Sequence, residues 1–334
     1  MYYANVKGMG QMRISRRNFL MASLASLASG LPVRYAAGQA FPSRPVTFLC
    51  PWPAGGGGDL QVRLLAKAVG ALLGEKVVVE NRPGATGTLA AAAVARMKPD
   101  GYSVAQSHDG VLRQPFISPS GYDPAIDFTY IIGVSENVFG LVVKADSPWR
   151  TFQEFIDHTR RNPGAVTIAV PGRGSPGHRA CDSIAAAQRL QWTTVPYKGT
   201  VDSLNGLMGG HVTAAAEASA WVTHVDSGRL RLLAAFGGKR LKRYPNVPTL
   251  RELGVDAAEF SPWGMVGPAG MEPAIVKTLH DAFRRAMDDP EFVSLLDTLG
   301  QEPIYMSSET YRKYALEAIP FQKAVVEKYG LRQN

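Results

Sequence analysis

Four consecutive glycines, at positions 55–58, give this sequence its clearest candidate for ligand chemistry. They come directly after an apolar run, residues 46–50, and directly before a segment with helical periodicity that begins at Asp59. Glycine has no Cβ atom, so the backbone N–H groups of such a loop can approach a ligand closely. At a helix start these donors have no intrahelical partner, and the helix dipole favours negative charge. The pattern predicts an anion-binding loop in which Asp59 stabilises the helix start; a flexible surface turn is the alternative.

The loop matches neither of the common nucleotide-binding patterns. No Gly-Lys-Ser or Gly-Lys-Thr follows the glycines, and consecutive glycines lack the G-x-G-x-x-G spacing of a dinucleotide site. Trp52 stands between two prolines just before the glycines. Its ring could cover the carbon skeleton of a ligand, since small-molecule pockets combine apolar walls with a few polar anchors. Packing in the core is the equally open alternative for Trp52.

Two histidines, His108 and His178, lie at a predicted strand end and a predicted helix start. Each could bind an anion or merely cap the backbone. No third donor stands at a metal-ligand spacing, and Asp109 points away from His108 if both lie in a strand. No serine nucleophile elbow is found either. The sequence therefore predicts no catalytic residue, no metal site and no cofactor.

Alternating strand and helix patterns must position these residues. In the first part of the chain, strands at 46–50, 76–80 and 102–106 alternate with helices that begin at Asp59 and near Thr88. This order predicts a parallel α/β sheet, which binds ligands at the carboxyl ends of its strands. Residues 139–235 repeat the alternation, with a glycine-rich break at 171–177 and a strand at 212–216, and predict a second sheet. The tail adds a strand that begins at Trp263 and three helices.

The first 40 residues have the composition of an export signal. They contain five basic residues and no acidic ones. Their apolar run is too short for a bilayer span, which needs about 20 residues, and it is followed by small residues up to Ala40. Arg16 and Arg17 lie in a context that resembles a twin-arginine signal, with an ordinary secretory signal as the alternative. Cleavage near Ala40 would place the mature protein in the periplasm.

Charge and length narrow the classes of function. The chain has 36 basic and 28 acidic residues, and without the five basic residues of the signal the balance is 31 against 28, or +3. This balance is not the footprint of a nucleic-acid-binding protein. The 294 residues after the signal lie at the size where a single core stops growing, which predicts two lobes. The two cysteines, Cys50 and Cys181, are predicted to be buried thiols, with a disulfide as the alternative in an oxidising compartment.

Several short motifs occur in the order and spacing of one known family. They are Phe41-Pro-Ser-Arg-Pro45, Pro51-Trp-Pro-Ala-Gly-Gly56, Glu80-Asn-Arg-Pro-Gly-Ala85, Pro99-Asp-Gly-Tyr102, Gly174-Ser-Pro-Gly-His178, Val195-Pro-Tyr-Lys-Gly199 and Asn246-Val-Pro-Thr249. With these motifs the chain resembles the Bug proteins, the extracytoplasmic receptors of tripartite tricarboxylate transporters. The resemblance covers essentially all of the chain after residue 40. This chain departs from the family pattern at Gly58, where Thr or Ser is usual, at Thr88, where Asn is frequent, and at Thr213, which replaces a common Asp.

The resemblance implies a type II periplasmic-binding-protein fold, in which two α/β lobes are joined by crossing hinge strands. Lobe 1 would comprise residues 41–141 and 262–334, and lobe 2 residues 142–261. The ligand-binding loops of the family correspond in this chain to Trp52, Ala54, Gly55, Gly56, Gly57, Ala85, Thr86, Gly87, Ser107, His108, Gly174, Ser175 and His178. The lobe 1 loops would hold a carboxylate by backbone N–H groups, and the segment 174–178 would close over the other end of the ligand. Glu217 could meet an amine or hydroxyl of the ligand, with a surface carboxylate as the alternative.

These features predict a periplasmic solute-binding protein that captures a small carboxylate and delivers it to the integral membrane subunits of a tripartite tricarboxylate transporter. A dicarboxylate, a tricarboxylate or an aromatic acid would suit, and the small side chains at 214–216 favour a bulkier ligand. The protein is expected to be a monomer with no nucleic-acid partner. One alternative is a sensing subunit that presents its ligand-bound form to a sensor kinase. An exported enzyme is another, and the missing catalytic motifs argue against it.

Overall fold

The computed structural model describes residues 41–333, and the predicted export signal lies outside them. Within this range the strands are β1 (Val46–Cys50), β2 (Val77–Asn81), β3 (Ser103–His108), β4 (Phe128–Asn137), β5 (Phe139–Lys144), β6 (Thr167–Val170), β7 (Thr193–Pro196), β8 (Ala214–Ala218), β9 (Leu230–Ala235), β10 (Pro262–Pro268) and β11 (Gln301–Met306). The helices are α1 (Gly57–Leu73), α2 (Leu89–Val94), α3 (Asp109–Ile117), α4 (Phe152–Arg161), α5 (Pro176–Gln188), α6 (Thr200–Met208), α7 (Val222–Asp226), α8 (Pro273–Ala286), α9 (Pro290–Thr298) and α10 (Ser308–Tyr329). Short 3₁₀ turns form at Ala85–Gly87 and Ser219–Trp221.

The strands form two separate sheets, as the sequence predicts. One has six strands in the order β11-β4-β10-β3-β1-β2, and the other has five in the order β7-β6-β8-β5-β9. The predicted parallel pairing is confirmed for β1 with β2 and with β3. β10, however, lies antiparallel between β3 and β4, so the first sheet is mixed. The reversal follows from the path of the chain, because β10 enters this sheet on its return from the other one.

The core of the six-stranded sheet forms where the apolar periods of strands and helices meet. On α1 the residues Val62, Leu65, Ala66 and Val69 are buried at helical spacing. The predicted end of this helix is confirmed, since Gly74 closes it in the left-handed conformation with φ 71°. Phe48 of β1 stacks on Phe283 of α8 with ring centroids 5.0 Å apart. Full burial of one such side chain stabilises the fold by about 1.5–3 kcal/mol.

Two helices of the five-stranded sheet, α4 and α5, begin at well-formed caps. Thr151 and Glu154 form a reciprocal capping box at the start of α4. Ser175 caps α5, and Pro176 occupies the first helical position. The start of α5 packs directly on β8, because a Cβ atom on Gly177 would lie 1.9 Å from the Ala216 carbonyl oxygen. The two free thiols, Cys50 and Cys181, are both buried, as predicted.

Two segments connect the sheets and lie side by side. The chain leaves the first sheet at the end of β4, passes Val138 and enters the second sheet as β5. It returns between β9 and β10, and there the Asn137 amide donates to the Ser261 carbonyl at 3.1 Å. The Phe236 amide likewise donates to the Phe139 carbonyl at 2.9 Å. This is the predicted architecture of two α/β units joined by crossing segments.

Three elements have no clear signal in the sequence. α3 contains Pro115, which interrupts the helical pattern, and β4 contains Gly133. β11 contains Pro303, which is tolerated because β11 is the edge strand of its sheet.

The predicted bounds of one strand, 212–216, were wrong by two residues, since β8 spans Ala214–Ala218. None of the helices within residues 41–333 combines the length and hydropathy that a bilayer span requires.

Candidate functional site

A cavity lies at the carboxyl ends of β1 and β3, beside the crossing segments. It encloses about 260 Å³ and is lined by Trp52, Gly58, Gln61, Gln106, His108, Asn137, Ser261, Trp263 and Gln301. Its position at the strand ends is where an open α/β sheet binds ligands. Trp52 and His108 are the two predicted ligand-binding residues in this wall. Its walls combine two indoles with several carboxamides.

The ring of Trp52 both packs on the core and lines the cavity. It contacts the core cluster of the first sheet and stacks on His108 with ring centroids 5.1 Å apart. Two glycines leave the space it fills. A Cβ atom on Gly58 would lie 2.3 Å from Cδ1 of the indole, and one on Gly87 would lie 3.2 Å from its Cη2. Gly58, where this chain departs from the family pattern, is therefore required by the position of Trp52.

Asp59 ties the glycine loop to β2. Its carboxylate accepts from the Gly55 amide at 2.8 Å, from Arg63 Nε at 2.8 Å and from Asn81 Nδ2 at 2.6 Å. Asn81 also donates to the Trp52 carbonyl at 2.9 Å. Burial opposes the charged form of Asp59, but the hydrogen bonds from Arg63, Asn81 and Gly55 outweigh it and lower its pKa. The predicted role of Asp59 at the start of α1 is confirmed.

Replacing Asp59 with alanine should lower the free energy of unfolding by about 2–3 kcal/mol, because it removes the hydrogen bonds that the buried carboxylate accepts from Gly55, Arg63 and Asn81. Urea denaturation at neutral pH measures this loss. Glu317→Ala is the matched control, since Glu317 is 68% exposed in its pair with Lys313 and such pairs contribute about 1 kcal/mol or less. Equal losses for the two variants would contradict an anchoring role for Asp59.

The second loop of the site has an unusual backbone. Gly84, Ala85, Thr86 and Gly87 all have positive φ, at 126°, 45°, 54° and 87°. A non-glycine residue in this region costs about 1–3 kcal/mol, and such strain concentrates at functional sites. The turn is held by Gly87 N–H donating to Gly84 O at 2.9 Å and by Thr88 Oγ1 donating to Ala85 O at 2.8 Å. It lies against Trp52 and His108 through Gly87.

His108 caps the backbone and still faces the cavity. Its Nδ1 accepts from the Gly110 amide at 3.0 Å at the start of α3, so the proton of the neutral ring is on Nε2. Burial lowers the pKa of His108 to about 4, partly offset by the Gly87 backbone, which keeps the ring neutral at physiological pH. Nε2 is buried beside Gly87 and, within residues 41–333, makes no hydrogen bond of normal geometry. His108 therefore presents a neutral ring to the cavity.

Strand geometry separates Ser107 from His108. Neighbouring residues of a strand face opposite sides of the sheet. The backbone of Ser107 packs towards α10, where Tyr311 Oη donates to the Ser107 carbonyl at 3.2 Å. Gln106 shares the face of His108 and lines the cavity in its place. The alternation along β3 was the signal in the sequence that could have identified Gln106.

The segment that contains Gly174, Ser175 and His178 packs on the end of α10. A Cβ atom on Gly174 would lie 3.0 Å from Leu331 Cδ1. His178 Nδ1 accepts from the Gly174 amide at 3.1 Å, its Nε2 lies 3.1 Å from Thr194 Oγ1, and its ring contacts Tyr329. This segment is therefore not among the residues that line the Trp52–His108 cavity within the described part of the chain. Its closure over a ligand stays a prediction.

Glu217 lies inside β8 and is fully buried, so its interpretation as a surface carboxylate was wrong. Within residues 41–333 neither carboxylate oxygen makes a hydrogen bond of normal geometry. Burial raises the pKa of Glu217 to about 7, against a smaller opposing effect of the nearby Ser203 and Thr200 hydroxyls. The two-residue displacement of the strand explains the error, because it moves Glu217 from the predicted strand end into the sheet.

Other residues of the cavity had weaker signals in the sequence. Trp263 belongs to β10 and lies opposite His108 in the sheet. Gln61 is on the buried face of α1, but a glutamine there resembles an ordinary helix residue. Asn137, Ser261 and Gln301 meet only where the crossing segments and the edge strand β11 come together. No local sequence pattern indicates that these three residues come together.

The sequence profile described as "TctC: Tripartite tricarboxylate transporter family receptor" matches residues 61–331. This chain belongs to that family. The TctC receptors are binding proteins and not enzymes, so the family resemblance, the fold class and the prediction of a non-catalytic protein are all confirmed.

Individual relatives cover nearly the whole TctC chain. The "UPF0065 protein in gbd 5'region" of Cupriavidus necator is 42% identical over 323 residues, which are 95% of this chain and 99% of that protein. The solved periplasmic binding protein BugD is 29% identical with a TM-score of 0.70, and the match covers 88% of this chain and 100% of that one. The R. palustris protein Rpa4515, solved with adipate, is 28% identical with a TM-score of 0.72, over 87% of this chain and 98% of that one.

Proposed function

We propose that this TctC receptor captures a small carboxylate in the Trp52–His108 cavity and delivers it to the membrane subunits of a tripartite tricarboxylate transporter. The observation that carries the proposal is the arrangement of the glycine loop at the start of α1. The N–H groups of Gly55 and Gly56 already donate to Asp59 and to the Pro53 carbonyl. Gly57 and Gly58 are the first residues of α1, where N–H groups have no intrahelical acceptor, so these two donors are the ones that would bind an anion. The similar Rpa4515 structure contains a dicarboxylate, adipate, which agrees with a carboxylate ligand.

The proposed site extends beyond the cavity wall. It comprises the predicted loops at residues 54–57 and 85–87, with Trp52 and His108 between them. Contacts from Ser107, Glu217 and the segment 174–178 would be added only if domain closure brings these residues to the ligand. The two lobes would be residues 41–141 with 262–334, and residues 142–261. Domain closure would bring them together around the ligand. The mature receptor would be a periplasmic monomer that is exported by a signal cleaved near Ala40, of the twin-arginine type.

A thermal-shift screen of residues 41–334 against carboxylic acids tests the proposal. A ligand at 100 times its dissociation constant should stabilise the protein by about 2.7 kcal/mol, which is a readily measured shift. Calorimetry on each hit then gives the affinity and stoichiometry. Amines and neutral sugars are the controls. A shift with those compounds and none with any acid would contradict the carboxylate ligand.

A further inference from the structure

We propose that Leu299 and Gly300, the turn that joins α9 to β11, couple the approach of the two lobes to the carboxylate site. This inference rests on the proposed function, because it concerns the glycine loop that would bind the anion. The Leu299–Gly300 turn contacts the glycine loop, the five-stranded unit and the wall of the Trp52–His108 cavity. Its two residues are positioning residues, since they act on the ligand through the loop and the wall.

The first contact of the turn is with the glycine loop. A Cβ atom on Gly57 would lie 3.1 Å from Cδ2 and 3.5 Å from Cδ1 of Leu299, so the leucine side chain packs directly on this glycine. Gly57 is the first residue of α1 and supplies one of the two N–H donors that would bind the anion. A shift of Leu299 therefore changes the packing around that donor.

The second contact is with the unit that contains the five-stranded sheet. Ser219, in the 3₁₀ turn after β8, is buried, and its Oγ donates to the Leu299 carbonyl at 2.7 Å. Gly300 has a left-handed backbone with φ 62°. A Cβ atom there would lie 2.2 Å from Cγ2 of Val222 and 3.2 Å from Cβ of Ser219. A side chain at Gly300 has no room beside Val222, so the two units are in close contact at this point.

The third contact is with the wall of the cavity. Gln301 follows the turn directly and lines the Trp52–His108 cavity. Its Nε2 donates to Asn137 Oδ1 at 2.9 Å, and its Oε1 accepts from Trp263 Nε1 at 3.4 Å. Because these hydrogen bonds tie Gln301 to the wall, a displacement of Gly300 also reaches the side chains that line the cavity.

The contacts of the turn with Ser219 and Val222 cross between the two proposed lobes, so they are complete only when the lobes lie close together. A contact that exists only in the closed receptor adds to the affinity for a ligand that binds this form, since closure and binding share one equilibrium. The Arg243–Asp297 ion pair crosses between the lobes nearby at 2.6 Å. Both of its side chains are partly exposed, and such pairs contribute little.

Calorimetry with the best acid from the screen tests the hydrogen bond of the turn. Ser219→Ala removes this bond between the lobes and should weaken binding about fivefold, the effect of one hydrogen bond that forms only on closure. Ser308→Ala is the matched control. Its Oγ donates to the Ile131 carbonyl at 2.5 Å within the unit of the six-stranded sheet, so this variant should bind the acid as the parent does. Equal losses of affinity in the two serine variants would overturn the inference.

A second pair of variants tests the close contact at Gly300. Gly300→Ala places a Cβ atom against Val222 and should weaken binding about 30-fold, because the lobes can no longer close fully. Gly74→Ala is the matched control, since Gly74 also follows a helix in the left-handed conformation, with φ 71°, and its Cβ atom would meet nothing within 4 Å. Both substitutions strain the backbone alike, and only the first disturbs the contact between the lobes.

Small-angle X-ray scattering without ligand adds a measurement that does not depend on the acid. Gly300→Ala should have a larger radius of gyration than Gly74→Ala. Parental affinity in both Ser219→Ala and Gly300→Ala would overturn the inference, and the proposed function would stand because the acid still binds. If no acid binds the parent, the proposed function fails, and equal radii of gyration for the two glycine variants would then overturn the inference as well.

Discussion

Gly58→Thr should reduce the affinity of the receptor for its carboxylate by about 100-fold, or about 2.7 kcal/mol. A Cβ atom at this position would lie 2.3 Å from Cδ1 and 2.7 Å from Nε1 of the Trp52 indole. The ring has little room to retreat, because its other edge lies close to Gly87, where a Cβ atom would be only 3.2 Å from Cη2. The ring must then leave the wall of the cavity, and the carbon chain of the ligand loses the apolar surface that would cover it. Threonine is a usual residue of the family here, so the loss would be specific to this chain.

The matched control for Gly58→Thr is Gly238→Ala. Gly238 does not have a left-handed backbone, and a Cβ atom there would meet nothing within 4 Å. Calorimetry with the best acid from the screen compares the two variants with the parent, and thermal melting verifies that both fold. Parental affinity in Gly58→Thr would show that the indole is not part of the binding wall.

Glu217→Gln should stabilise the receptor at pH 8 by up to about 3 kcal/mol and have little effect near pH 4.5. Burial raises the pKa of this carboxyl to about 7, so the folded state keeps a proton that the unfolded chain releases from about pH 4.5 upwards. The parent therefore loses stability as the pH rises between these two values and stays at the lower level above them. An uncharged glutamine of the same size removes this linkage.

Urea denaturation between pH 4.5 and pH 8 measures the Glu217→Gln effect. Glu317→Gln, at an exposed position, is the control and should change the free energy of unfolding by less than about 0.5 kcal/mol at every pH. A gain in Glu217→Gln that is the same at both ends of the range would contradict a proton-linked cost at this site.

The stability of the parent protein at acidic pH reports on a second group, because buried His108 has a pKa of about 4. Its neutral form supports the fold above about pH 6.5, and this support is lost as the pH falls towards 4.

The sequence predicted individual elements well where their pattern is local. The strands at 139–144 and 230–235 have the predicted bounds, because each is a short apolar run between polar turns. α1 begins at Gly57, two residues before the predicted start at Asp59, and it ends at Gly74 as predicted. The displaced strand β8 shows the limit of this approach. Its alanines have little β-propensity to mark an edge, so a two-residue error left a surface position open as an alternative for Glu217, which the structure buries.

Long-range pairing was beyond the reach of the same patterns. The position of β10 between β3 and β4 places Trp263 beside His108, and no periodicity in either segment indicates this register. The positions of Gly174 and His178 depend equally on packing against the last helix, α10. Short motifs in a fixed order identified the family because they are read along the chain, and they do not depend on which segments meet in space.

The sequence by itself thus determined the family, the two α/β units and the glycine loop with Trp52 beside it. These follow from local backbone preferences, hydrophobic period and motif order. Only the tertiary structure decided which side chains form the wall of the cavity. Gln61, Gln106 and Gln301 come from a helix, a central strand and an edge strand, and they meet because the crossing segments bring those elements together. Their shared environment depends on chain packing, which is a property of the whole fold and of no single segment.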